Sequence, residues 1–190
     1  KAWHHWQRVS VRGNGGGSLA EAVDIVGLFV PKGTQVVSTR GKLSQASQTF
    51  KTQREPLDLT IPLVVLVDGQ SASASEIVAG AIQDLDRGVV MGWRTFGKGL
   101  VQSVRELPYN SSLKITTSKY YTPSGRCVQK IDYSKAVRSK GEEDKTESAP
   151  GEFYALSGRP VKAAGGITPD VVLKELAVPN LLFYLANSDI

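Results

Sequence analysis

Pro62-Leu63-Val64-Val65-Leu66-Val67 runs through Asp68-Gly69 into Gln70-Ser71-Ala72-Ser73-Ala74-Ser75-Glu76, and this passage decides the fold. A short, unbroken apolar run closed by a turn signal is the pattern of a strand buried on both faces, as in the parallel sheet of an α/β protein. Beyond the serines, Ile77, Val78, Ala81, Ile82 and Leu85 carry a helix inward. Three serines therefore stand where a strand ends and a helix begins. Serine at that place is ordinarily a cap, but three alternating with alanine exceed what capping requires. Small alanines permit close substrate approach, and the helix terminus offers N–H groups to a developing oxyanion.

Upstream, residues 9–11 read as a strand feeding the turn Gly13-Asn14-Gly15-Gly16-Gly17. Ser18 with Glu21 forms a capping box, and Ala22, Val23, Val26 and Val30 recur at helical spacing, predicting a helix over 19–30 that Pro31 stops. Residues 35–38 and 49–51 suit a hairpin-like pair of strands. Downstream, strands are expected over 87–91, 100–107 and 113–121, with short closing strands at 153–156, 161–163 and 171–173 and a last helix over 179–186. Residues 130–150 carry charge without apolar anchors and read as a flexible, solvated loop.

With 190 residues the chain suits one domain. Its net charge of +5 comes from scattered lysines and arginines with no basic stripe among aromatics, which disfavours nucleic-acid binding. The single cysteine, Cys127, excludes an internal disulfide and a multi-cysteine metal site. His4 and His5 are the only histidines, and they are adjacent near the amino terminus, a poor basis for a zinc site or a Ser-His-Asp triad. No apolar run is long enough to span a membrane, and residues 1–7 lack the apolar core of a signal peptide.

Gly92-Trp93-Arg94-Thr95-Phe96-Gly97-Lys98 matches the start of a P-loop, but Gly99 stands where Ser or Thr must hold magnesium. The following Leu100-Val101-Gln102-Ser103-Val104 reads as a strand, not the helix that would cradle phosphate. The glycines at 13–17 likewise miss the dinucleotide pattern, because Ser18 replaces its last glycine. A lysine flanked by Gly97 and Gly99 can instead pack against another backbone and lose water. Desolvation disfavours the ammonium and moves a lysine toward the neutral base that can activate a serine without histidine. A solvent-facing lysine in a hairpin is the plain alternative, and the strand–turn–helix at 64–85 tips the balance toward chemistry.

Arg12-Gly13-Asn14-Gly15-Gly16-Gly17, Ser71-Ala72-Ser73-Ala74-Ser75-Glu76, Thr95-Phe96-Gly97-Lys98-Gly99 and Gly165-Gly166-Ile167-Thr168-Pro169-Asp170 together resemble the carboxy-terminal (tail-specific) processing peptidases, serine peptidase family S41. The motifs stand in the family's order and span roughly residues 12–170. The resemblance implies a crotonase/ClpP-like α/β core with mixed sheet layers and flanking helices. It also implies a serine endopeptidase acting on protein substrates near their carboxyl termini through an acyl-enzyme. Ser73 falls on the family's nucleophile, Lys98 on its base and Gln102 on the residue that orients the lysine. The backbone amides of Ala74 and Gly16 fall on the oxyanion donors, and Ser71 and Ser75 are left as turn and cap residues. Ser10-Val11-Arg12 departs from the family's Asp-Leu-Arg ahead of the glycine loop. No metal or organic cofactor is implied, and the place of work is extracytoplasmic. Family members carry a PDZ domain, whereas 1–190 suffices for the catalytic core alone. A non-catalytic peptide- or ligand-binding module on the same fold, or an inactive truncated core, is the rival reading.

Overall fold

The computed structural model describes residues 6–131, 151–163 and 165–174. His4 and His5, nearly all of the expected loop over 130–150 and the expected helix over 179–186 lie outside the described residues.

The strand and helix within residues 62–85 form the centre of the molecule. β4 (Leu63–Val67) buries Leu63, Val65 and Val67 and lies between two parallel neighbours, β1 (Gln7–Ser10) and β5 (Val89–Gly92). β10 (Val171–Val172) adds a fourth parallel strand beside β5. A second sheet is wholly antiparallel: β3 (Gln48–Lys51), β2 (Gln35–Gly41), β7 (Ser111–Tyr121) and β6 (Leu100–Leu107), in that spatial order. β8 (Phe153–Tyr154) and β9 (Pro160–Val161) form a small separate ribbon. The α/β class with mixed sheet layers is as expected, with the mixing between sheets rather than within one.

Of the two α-helices among the described residues, the first is shorter than expected. α1 (Leu19–Gly27) starts at the predicted cap, Ser18 Oγ accepting from Glu21 N–H, but ends three residues before Val30. The Leu28 carbonyl turns aside to accept from the N–H groups of Leu57 and Asp58, and Pro31 disfavours a helical residue before it. α2 (Ala74–Asp84) is buried along its whole length and packs on β4 and β5 of one sheet and on β2 of the other. A helix buried all round must satisfy its polar side chains internally.

Those side chains are Glu76, Gln83 and Asp84. Gln83 Nε2 donates to Thr168 O and Asp170 Oδ1, and Asp84 pairs with the fully buried Arg126 at 2.7 Å while accepting from Ser124 N–H. Arg126 also donates to Gln83 Oε1 and Lys162 O, and burial pulls its guanidinium below the ordinary value. Replacing Arg126 with methionine would strand a buried carboxylate, and a loss of about 3–5 kcal/mol is expected in urea unfolding. The exposed Lys32–Glu55 pair, at 3.6 Å, is the contrast: Lys32→Ala should change the unfolding free energy by less than about 1 kcal/mol.

Candidate active site

Ser73 is the N-cap of α2 with φ 57° and ψ −117°, a backbone conformation that a residue with a side chain rarely adopts. Such strain persists only where surrounding structure enforces it. Four contacts do so here, one of them from Glu76 N–H to the Ser73 carbonyl at 2.9 Å. Ser73 N–H donates to Glu76 Oε2 at 2.9 Å, the Ser73 carbonyl accepts from Tyr120 OH at 3.1 Å, and Ile77 N–H bonds the same carbonyl as the helix begins.

The other two serines are structural. Ser71 is fully buried, its hydroxyl donating to Val11 O at 2.8 Å and thereby tying the turn to the end of β1. Ser75 sits in the first turn of α2 rather than capping it, and its hydroxyl donates to Asn14 O at 3.0 Å. Asn14 also accepts from Ala72 N–H, so the glycine loop is fastened alongside the serine turn. Asp68 holds the loop's other end by accepting from Gly13 N–H. Burial pushes its carboxyl up, but the bonds from Gly13, Gln70 and Ser71 outweigh that and leave it below the usual range.

Gly16 lies against the serine turn. With φ 106°, a Cβ there would come within 2.7 Å of both Ala72 O and Ser73 Cβ and 3.0 Å of Ala74 N. Its N–H donates to Asn14 Oδ1 at 2.9 Å in this conformation.

The lysine turn is pinned on every side. Phe96 N–H donates to Ser71 O, Gly99 N–H to Gln129 Oε1, and Lys130 N–H to Gly97 O. A Cβ on Gly97 would meet Lys130 Cβ at 2.8 Å and Gly166 N at 2.9 Å; one on Gly99 would meet Gln129 N at 2.9 Å. The flanking glycines thus do what the sequence suggests, letting another backbone approach. Gly166-Ile167 is part of that backbone: Thr95 and Ile167 exchange bonds through Thr95 N–H and Thr95 Oγ1, so the Gly165–Asp170 motif buttresses the lysine turn.

Glu76 joins the two halves. Fully buried, it accepts from Thr95 Oγ1 (2.6 Å) and Gly97 N–H (2.8 Å) on Oε1, and from Ser73 N–H (2.9 Å) and Lys98 N–H (2.8 Å) on Oε2. Burial pushes its carboxyl above the usual range, with those four donors pulling the other way. Sequence reading quoted Glu76 within the serine motif without giving it a task. Tyr120 was missed as well: it is 1% exposed, and burial raises its hydroxyl well above the ordinary tyrosine value. The strand over 113–121 is legible, but its alternation at Ile115 and Thr117 points to the other face, so neither the burial of Tyr120 nor its hydroxyl's partner is.

Ser73, Ala74, Lys98, Gln102 and Tyr120 line one cleft of about 290 Å³, to which the glycine loop contributes Gly17 rather than Gly16. Gln102 is exposed on β6, where the register shifts between Val101 and Gln102, an irregularity that re-aims a side chain. Its amide Nε2 donates weakly to Thr116 Oγ1 at 3.5 Å. The arrangement offers a half-buried hydroxyl, an amine and a helix N-terminus facing one space, the parts of acyl transfer. Among the described residues there is no group of three or more His, Cys, Asp or Glu side chains that could hold a metal ion, and no helix is long and apolar enough to cross a membrane.

The family model for Peptidase family S41 matches residues 9–137. A carboxy-terminal-processing protease of Bartonella bacilliformis is 44% identical over 123 residues, which are 65% of this chain and 28% of that protein. A chloroplastic carboxyl-terminal-processing peptidase of Arabidopsis thaliana is 41% identical over 116 residues, 61% of this chain and 24% of that protein. The solved structure of a photosystem II D1 C-terminal processing protease superimposes with a TM-score of 0.64 at 30% identity, covering 96% of this chain and 39% of that one. The matched region is thus about a quarter of the length of these two curated relatives.

Proposed function

The chain belongs to peptidase family S41, and on that premise we propose that it is the catalytic core of a serine endopeptidase that processes proteins near their carboxyl termini. Ser73 Oγ attacks the substrate carbonyl carbon while Lys98 Nζ accepts the hydroxyl proton. The tetrahedral intermediate collapses as the lysine returns a proton to the leaving amine, and water then hydrolyses the ester at Ser73. Gln102 keeps Lys98 oriented. Ala74 N–H, at the amino end of α2, is the first oxyanion donor. Gly16 N–H is the second, shared between Asn14 Oδ1 and the oxyanion as charge develops. This chemistry asks for no metal or organic cofactor, and the family resemblance supports a place of work outside the cytoplasm.

One observation carries the reading: Ser73 and Lys98 face a common cleft while a single buried carboxylate accepts from the backbone N–H of both. The test is incubation of the chain with an unfolded protein, reading new termini by mass spectrometry, beside Ser73→Ala. Wild type should produce fragments and an acylated Ser73; identical fragmentation by both proteins would sink the proposal.

Gly16→Ala probes the loop. The new methyl must displace either the loop or the serine turn, since its neighbours at 2.7 Å are backbone and Cβ atoms. We expect kcat/KM to fall about 100-fold, because a displacement near 1 Å at the reacting groups has that order of effect. The melting temperature should fall by only a few degrees; normal turnover would remove Gly16 from the site.

A further inference from the structure

A second, larger cleft of about 1070 Å³ adjoins the first, the two sharing Lys98, Leu100 and Gln102. Beside Lys98, its walls bring together three cations, Arg94, Lys119 and Lys130, and no carboxylate among its described lining. Each has a defined seat. Lys119 is the cross-strand partner of Leu100, so its side chain leaves the sheet on the face where Leu100 does. Lys130 Cβ packs directly on Gly97, the residue before Lys98. Arg94 lies against Gly165, its guanidinium in the space a Cβ there would occupy. The ion pairs formed among the described residues involve other cations, Lys32, Arg54, Arg126 and Arg159, leaving Lys119 and Lys130 without a carboxylate partner there.

Like charges gathered in a concave site repel one another and focus a positive field into it. An anion relieves that repulsion and gains charge-assisted hydrogen bonds. A polypeptide seated with its reacting carbonyl at Ser73 extends past Lys98 and Gln102, the residues common to both clefts. We propose, resting on the peptidase reading above, that the larger cleft is a substrate subsite for a carboxylate, with Lys119 and Lys130 as its specificity-determining residues. The carboxylate is either an acidic side chain or the free α-carboxylate of the substrate's terminus. Recognition is by point charge more than by bidentate geometry, which suits lysine and tolerates either source.

The test uses the whole chain carrying Ser73→Ala, with dye-labelled peptides of one apolar body in four forms: free acid, terminal amide, amide with an internal Asp, and amide with an internal Asn. Fluorescence anisotropy at low salt should show one or both carboxylate forms bound about tenfold more tightly than the neutral counterpart, the order expected of a charge-assisted bond. Which pair shows the difference identifies the source. Salt should shrink the preference, Lys119→Ala/Lys130→Ala should abolish it, and Lys51→Ala on β3 should keep it. Lys119→Glu/Lys130→Glu should favour a peptide with an internal Lys, a gain that misfolding cannot produce. Equal binding of charged and neutral forms, no binding of any peptide, or a preference that survives the double alanine variant overturns the proposal. Wild-type cleavage of the same peptides separates the two readings. Cleavage without charge preference ends the subsite alone, whereas carboxylate-dependent binding with no cleavage ends the peptidase reading alone.

Discussion

Ser73→Ala should lower turnover on an unfolded protein by about 10⁴-fold or more while leaving the fold intact, the scale seen when a nucleophile is removed from a cooperating set. Lys98→Ala should cost about 10²–10⁴-fold, the range for a positioned general base. The two losses should not multiply in the double variant, since each alone removes the same proton-coupled attack. A third substitution reports the backbone. Ser73 holds φ 57° and ψ −117°, a conformation costing of order 1–3 kcal/mol with a side chain and little with glycine. Ser73→Gly should therefore be inactive yet more stable than Ser73→Ala in urea titration. If alanine and glycine variants unfold at the same midpoint, the strain is not stored at that residue; if Lys98→Ala retains full turnover, the dyad is wrong.

Glu76→Gln, a change of one atom, should destabilise the protein by about 2–4 kcal/mol and cut turnover at least 100-fold. Each carboxylate oxygen accepts two hydrogen bonds, Thr95 and Gly97 on one, Ser73 and Lys98 on the other. An amide must turn its NH2 toward one of these donor pairs, leaving two buried donors facing a donor. Either orientation loosens the lysine turn, and one of them also frees the Ser73 N–H. The pH dependence carries a sign. Because burial raises the carboxyl above the ordinary glutamate value of 4.5, the folded state binds this proton more tightly than the unfolded chain. The Glu76 contribution is thus fully present below 4.5 and declines as pH rises through the folded-state value. The difference in unfolding free energy between wild type and Glu76→Gln should fall over that window, which isolates Glu76 from the lowered carboxyls of Asp58, Asp68 and Asp86. Parallel pH profiles for the two proteins would show that Glu76 carries no such linkage.

The strand–serine–helix passage was legible because its signals are local. An apolar run, a turn and a 3.6-residue period mark β4 and α2 without knowledge of what lies around them. The same holds for the Ser18 cap, for β6 and for the failure of Gly99 to complete a P-loop. The end of α1 was misjudged because the Leu28 carbonyl is claimed by residues 57 and 58, a partner that periodicity cannot see. The apolar positions of α2 carry it inward, yet the burial of its polar side chains too is decided elsewhere, since Arg126, Thr168 and Asp170 come from far along the chain to meet Gln83 and Asp84. Likewise the scattered lysines and arginines suggest a diffuse surface charge, and only the folded arrangement gathers four of them in one cleft.

From the order of its residues alone, then, this chain declares an α/β core and offers a hydroxyl, an amine and small-residue turns for catalysis. Local propensity and spacing suffice for that much, because they act over a few residues. What joins Ser73 to Lys98 is a buried carboxylate whose four donors come from two separate stretches, 73 and 95–98, the second lying up to 22 residues from Glu76 in sequence. A buried charge is tolerated only when long-range packing supplies its partners, so the task of Glu76 became visible in the folded chain and nowhere earlier.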